Sequence, residues 1–168
     1  RFPALPLLAL NSIIPSAPAA AIIAATFAHT VGSFVLSPAI DRNIIYDASL
    51  SVGELNRVNS AVVNGGGKGI NVSRMLKKLG TDSLIYGFNG GRSGKMLTDI
   101  LSEEGLECGF TPTKAETRMN IKITDADGRE TEINEKGGPV TDEELSSLFE
   151  ALKKSNADGD MIWYEYDQ

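Results

Sequence analysis

Between residues 64 and 72 the chain reads Asn64-Gly65-Gly66-Gly67-Lys68-Gly69-Ile70-Asn71-Val72, and this stretch constrains the fold more than any other. It sets a run of glycines and one lysine directly at the start of an amphipathic helical pattern. Such a junction is suited to hold an anion. Glycines admit positive φ and bring the backbone close to a ligand, while the helix turns its unpaired N–H groups and positive dipole end to the same place. Lys68 adds a point charge. Two familiar phosphate-binding patterns do not fit. A Walker A loop needs Gly where Val62 stands and Ser or Thr where Gly69 stands; a Gly-x-Gly-x-x-Gly fingerprint begun at Gly65 or Gly67 ends on Ile70 or Val72. A phosphate or sugar-phosphate site of another type and a mobile glycine-rich connection both stay open on these residues.

With 42% hydrophobic residues over 168 positions the chain can bury one domain-sized core. Its net charge of −6 argues against a nucleic-acid partner, so any phosphate site is a local positive island in an acidic protein. Lys68, Arg74, Lys95, Lys114 and Arg118 are the candidates for that island, whereas Lys77, Lys78, Lys153 and Lys154 read as solvated helix faces. The single Cys108 rules out an internal disulfide and reads as a small buried hydrophobe. His29 has no Cys or Asp cluster about it, and no metal ligand set is assigned. From Arg1 to Ile40 there is no acidic residue and no second Lys or Arg, with prolines at 3, 6, 15 and 18. That apolar stretch is too short and too broken to span a bilayer. Residues 1–30 are read as a disordered or mis-translated extension, and no membrane partner is expected.

From residue 33 strands and helices alternate, which points to an α/β architecture. Strands are expected over 33–36, 43–46, 56–63, 83–88, 107–111, Arg118–Thr124, Glu130–Asn134 and 160–164. Asp125-Ala126-Asp127-Gly128 supplies a hairpin turn. Helices are expected over 70–79, with Val72, Met75, Leu76 and Leu79 on one stripe, and over 94–104, with Leu97, Ile100 and Leu101 inward. Gly80 and Gly105 are their stops. Thr141-Asp142-Glu143-Glu144 is a capping box opening a third helix, with Leu145, Leu148, Phe149 and Leu152 as its core positions.

Ser37-Pro38-Ala39-Ile40-Asp41, Gly53-Glu54-Leu55-Asn56-Arg57-Val58, Gly66-Gly67-Lys68-Gly69-Ile70-Asn71-Val72-Ser73-Arg74, Gly87-Phe88-Asn89-Gly90-Gly91 and Glu130-Thr131-Glu132-Ile133-Asn134 follow in the order and spacing of the ribokinase-like (PfkB-type) carbohydrate kinases. From about residue 31 to 161 the chain resembles that family, most of all its members acting on fructose 1-phosphate. The resemblance implies a central, mainly parallel sheet flanked by helices with a small side β-sheet serving as a lid, over 31–162, and a divergent tail at 163–168. It implies that the family's C-terminal half is missing, together with the Gly-Ala-Gly-Asp helix N-terminus that carries the catalytic Asp. No catalytic residue is therefore assigned in this chain.

The family's substrate contacts carry over to Asp41, Gly66, Gly67, Lys68, Asn71, Gly90, Gly91, Lys114, Arg118 and Asn120. Asp41 would accept hydrogen bonds from sugar hydroxyls, while Lys114, Arg118 and Asn120 would hold the phosphate already on the substrate. Ser37 stands where the family has Asn, and Gly65 where it has Pro. Glu132 and Asn134 fall on the strand that the family directs toward nucleotide and metal. The implied reaction transfers the ATP γ-phosphoryl group, with Mg²⁺ as charge partner, to the 6-hydroxyl of fructose 1-phosphate in the cytoplasm. The partner is a small sugar phosphate, with a homodimer contact through the side sheet. Kinases of tagatose 6-phosphate or fructose 6-phosphate, a non-catalytic sugar-phosphate-binding fragment and a gene remnant are the alternatives.

Overall fold

Strand alternation sets the main layer. In β5 (Ser83–Gly90) Ile85 points to one side while Leu84, Tyr86 and Phe88 point to the other, so the strand is buried on both faces as an interior parallel strand must be. β2 (Thr30–Val35) and β6 (Glu107–Thr113) flank it in parallel, and β1 (Thr26–Phe27) joins β2 antiparallel. The structure is a computed structural model that describes residues 26, 27 and 30–155. Residues 1–25, His29, the strand expected over 160–164 and the tail at 163–168 lie outside the described residues. The boundary expected near residue 30 falls within the β1–β2 pair.

Two helices, α1 (Lys68–Lys78) and α2 (Gly91–Glu103), cover the Ile85 face. There Ile70, Leu97 and Leu101 close over Val35, Ile40, Ile85 and Leu106. The third helix, α3 (Asp142–Ser155), covers the opposite face by setting Leu148 and Leu152 on Tyr86 and Phe88. Each fully buried aliphatic side chain of this kind contributes about 1.5–3 kcal/mol. Gly80 and Gly105 end the first two helices at φ of 78° and 66°, the left-handed conformation that such stops require.

A second sheet leaves the main one, in the order β4 (Ser60–Gly66), β3 (Ala39–Ile45), β7 (Arg118–Thr124) and β8 (Glu130–Asn134). Only its central β3–β7 pair is parallel. Ile40 and Met119 root its apolar face in the core under α2. Register and alternation put Ile44, Val63, Ile121, Ile123 and Ile133 on that same face farther out, where Ile133 is 57% exposed. The second face carries Asp41, Asn43, Asn120, Lys122, Glu132 and Asn134, with Ile45 and Val62 exposed beside them.

The structure corrects several expectations. Asp41, which precedes the strand expected over 43–46, sits inside β3 of the side sheet. The side-sheet strands expected over 43–46 and 56–63 run instead over Ala39–Ile45 and Ser60–Gly66. The glycine run is therefore strand, not loop, as far as Gly66, with Gly65 paired to Ile40 and Gly66 to Ala39. Of the run, only Gly67 takes a positive φ, 135°, and it alone separates β4 from α1. The stripe expected on α1 is rotated. Gly69 and Ser73 press against β2, where Ser33 and Ser73 hydroxyls share a 2.6 Å hydrogen bond, and this close small-residue contact turns Met75 and Leu79 outward to 56% and 72% exposure. On α3, Leu145 and Phe149 are exposed, because the described residues offer that helix only the patch that Leu148 and Leu152 fill.

A Cβ on Gly69 would lie 1.8 Å from the Phe34 carbonyl oxygen, a backbone atom. Gly69→Ala is expected to lower stability by about 1–3 kcal/mol, read as a shift of the urea midpoint at constant slope.

Candidate functional site

Asp41 is the hub of the polar face. Register sets it between Asn64 on β4 and Asn120 on β7, and Asn120 sets next to Asn134 on β8. Asn120 Nδ2 donates to Asp41 Oδ1 at 2.9 Å. The other carboxylate oxygen, Oδ2, occupies the space that a side chain at position 66 would need, since a Cβ on Gly66 would lie 2.2 Å from it. Gly66 thus serves by vacancy. Two polar atoms near this hub are buried with no partner among the described residues, Asn120 Oδ1 and Arg118 Nε. An orphaned buried group of this kind costs about 1–3 kcal/mol, which a polar ligand would recover. Arg118 Nη2 reaches only the Ser37 carbonyl, at 3.5 Å.

Helix N-termini separate the glycine-rich junctions from one another. α3 carries its expected capping box, with Thr141 N–H donating to Glu144 Oε2 at 2.8 Å and Glu144 N–H to Thr141 Oγ1 at 3.2 Å. α2 is capped from a distance: Ser93 N–H donates to Glu116 Oε1 at 2.6 Å, and a Cβ on Gly91 would strike the same carboxylate. α1 has neither a side-chain cap nor an acidic residue in its first turn. Among the described residues no side chain caps the N–H groups that follow Gly67 at the positive end of the α1 dipole.

Along the side sheet the polar face encloses a cavity of about 300 Å³ lined by Asp41, Arg42, Asn43, Asn120, Lys122, Glu132 and Asn134. Carboxylates, amides and one ammonium suit a hydroxyl-rich ligand, since together they donate and accept in many directions. Lys122 lies between Glu132 at 3.0 Å and Glu130 at 3.3 Å, and hydrogen bonding to Glu132 and then Glu130 raises its pKa. The same bond from Lys122, with Asn134, lowers the Glu132 pKa. Asn43 and Lys122 were not foreseen. The signal was present as alternation: they stand two residues from Asp41 and Asn120 on adjacent paired strands.

Of the residues expected at the site, Asp41, Gly66, Asn120, Glu132 and Asn134 come together; Gly67 and Lys68 follow Gly66 directly in the chain, and Arg118, two residues before Asn120 on β7, lines a neighbouring recess with Ser37, Thr117 and Gly138. Others are engaged elsewhere. Arg74 makes a two-pronged pair with Glu104, Nε–Oε2 at 2.6 Å and Nη2–Oε1 at 2.8 Å, and its Nη1 donates to Asn71 Oδ1 at 2.9 Å. Lys95 pairs with Asp99 one turn on. The Lys114 N–H donates to Glu144 Oε1 at 2.7 Å, tying that residue to α3. Gly90 donates its N–H to Thr117 Oγ1 at 3.0 Å, and Gly91 lies under Glu116. Cys108 is half-buried, and burial pushes its thiol up to about 11, so it stays protonated at neutral pH. Among the described residues no three His, Cys, Asp or Glu side chains group as a metal site would.

The profile described as pfkB family carbohydrate kinase matches residues 24–163. Among individual proteins, the 1-phosphofructokinase of Bacillus subtilis is 39% identical over 76% of this chain, which covers 41% of that relative. A Thermotoga maritima structure described as a possible 1-phosphofructokinase shares 36% identity and a TM-score of 0.69 over 79% of this chain and 43% of its own. Phosphofructokinase-2 from Escherichia coli, solved in complex with fructose-6-phosphate, aligns at 25% identity and a TM-score of 0.67 over 73% of this chain and 41% of its own. The chain thus spans about two fifths of the length of the relatives it matches.

The Glu116 cap makes an acid-pH prediction. Its hydrogen bond from Ser93 N–H holds the carboxyl below its ordinary value. A depressed folded pKa gives a contribution present above the unfolded value of about 4.3 and lost as pH falls through the folded one. Glu116→Gln is expected to lower the urea midpoint at pH 7 and to make little difference once the pH lies below the folded pKa. Equal effects at both pH values would show that the charge is not what caps α2.

Proposed function

Because the chain belongs to the pfkB family of carbohydrate kinases, we propose that its described residues form the acceptor side of a sugar-phosphate kinase. That side would bind fructose 1-phosphate for transfer of the ATP γ-phosphoryl group to the free 6-hydroxyl. The observation that carries this reading is the pair of buried, unpartnered atoms on one face of β7, a donor on Arg118 and an acceptor on Asn120, flanking Asp41. The chemistry then divides by charge. The Asp41 carboxylate accepts from sugar hydroxyls and is held in place by Asn120 Nδ2. Arg118 supplies a charge-assisted donor to the phosphate already on the sugar. The N–H groups after Gly67, with Lys68 beside them, favour negative charge at the same end.

The described residues form no metal site of their own. Glu132, the carboxylate expected to face nucleotide and metal, is paired with Lys122, and among the described residues no three His, Cys, Asp or Glu side chains are placed to hold a metal ion. ATP and Mg²⁺ therefore belong to the proposal for the whole kinase, and these residues bind and orient the acceptor only. Among the described residues none is assigned the 6-hydroxyl proton, and the role proposed for them is to bind the acceptor. A cytoplasmic setting is part of the same reading; among the described residues no helix is long and apolar enough to cross a membrane.

Calorimetry with fructose 1-phosphate, fructose 6-phosphate and tagatose 6-phosphate tests the reading. Fructose 1-phosphate is expected to bind tightest, without nucleotide, and Arg118→Ala to weaken it by about 1.5–3 kcal/mol, roughly 10- to 150-fold. Tighter binding of either 6-phosphate would reassign the substrate, and binding of none would overturn the proposal.

A second copy of the chain is proposed to cover the outer apolar face of the side sheet, where Val63 and Ile133 are exposed and Ile44, Ile121 and Ile123 are half-buried. Light scattering is expected to give a dimer that Ile133→Lys dissociates. An unchanged mass in the variant would place the contact elsewhere.

A further inference from the structure

One buried polar cluster outside the ligand-facing residues has no evident task in the core. Thr117, 6% exposed, immediately precedes Arg118 and is bonded on every side. Its hydroxyl donates to Asn89 Oδ1 at 2.9 Å and accepts from Gly90 N–H at 3.0 Å, while its own N–H donates to the Gly90 carbonyl at 2.9 Å. Asn89 completes the set, its Nδ2 donating to the Gly94 carbonyl and to Thr98 Oγ1, both at 2.8 Å. Gly94 must be glycine for this, since a Cβ there would lie 2.1 Å from Asn89 Oδ1.

The cluster joins the corner between β5 and α2 to the residue where the side sheet begins. Arg118 itself has little to hold it: one long contact to the Ser37 carbonyl and a buried Nε with no partner. Its placement therefore depends on its neighbours. On one side is the β3 ladder, with Ala39 opposite Arg118. On the other is Thr117. A core position could be filled by an apolar pair at little loss of stability, but only directional bonds fix where the next residue points.

We propose that Asn89 and Thr117 are positioning residues that aim Arg118 at the phosphate of the acceptor sugar, an inference that rests on the acceptor-site reading above. The coupling runs through Arg118 alone, so it is separable from a general contribution to folding. Thr117→Val removes the hydroxyl at nearly constant shape, and Thr117→Ser restores it.

The test is a double-mutant cycle on the full chain, read by calorimetry with fructose 1-phosphate. Thr117→Val is expected to weaken binding about tenfold in the native background and less than twofold in an Arg118→Ala background, with Thr117→Ser within threefold of native. Equal losses in both backgrounds, or no rescue by serine, would reduce the pair to a structural role and overturn the inference. A second readout needs no ligand. The Arg118 Nε–H proton, followed by NMR, is expected to exchange slowly in the native chain and at least tenfold faster in Thr117→Val, while α2 amides keep their protection. Absence of fructose 1-phosphate binding in the native chain would sink the acceptor-site reading and, with it, the aim at a phosphate. Unchanged Nε–H exchange would sink the positioning role itself.

Discussion

The passage of one strand into one helix through a single residue governs the geometry of this molecule. β4 ends at Gly66, α1 begins at Lys68, and Gly67 turns between them at a φ that side-chain-bearing residues rarely adopt. Everything near the polar hub follows from that short turn. It sets Gly66 under Asp41 and Gly69 on the Phe34 carbonyl. A longer connection would free the helix from the strand and with it the relation between carboxylate and dipole.

Charge is distributed with the same economy of position. An acidic chain that binds an anion has to keep its own carboxylates from competing for the site. Two helix N-termini are closed by internal carboxylates, Glu116 on α2 and Glu144 on α3, and the arginine of α1 is paired with Glu104. Among the described residues, α1 has no side-chain cap at its N-terminus, and β7 carries the unpartnered atoms of Arg118 and Asn120. This arrangement is a result of where the acids go as much as of where the bases stand.

Much of this was legible in the sequence, and the rest was hidden for physical reasons. Glycine stops at 80 and 105, the capping box at Thr141 and the hairpin at Gly128 are local devices, and each appears where its residues stand. The family motifs gave the two-sheet architecture, which the pfkB match and the solved relatives bear out. The α1 stripe was misread because hydrophobic periodicity assumes that the apolar side faces in, whereas a glycine and a serine let the helix approach on its small side. Arg74 and Lys95 looked like members of a positive island because a sequence does not show their partners, Glu104 and Asp99. Asn43 and Lys122 escaped notice because their alternation with Asp41 and Asn120 gains meaning only once the two segments are placed as paired strands of one sheet.

The contact between Asp41 and Gly66 has a consequence for how such chains can diverge. The carboxylate fills the vacancy that glycine leaves, so neither position can drift by itself: a side chain at 66 evicts the acid, and a shorter residue at 41 leaves a void. Across a lineage the two sites should change together or not at all, although 25 positions separate them in the chain. A pair of that kind is a record, kept in sequence, of how close two strands must stay.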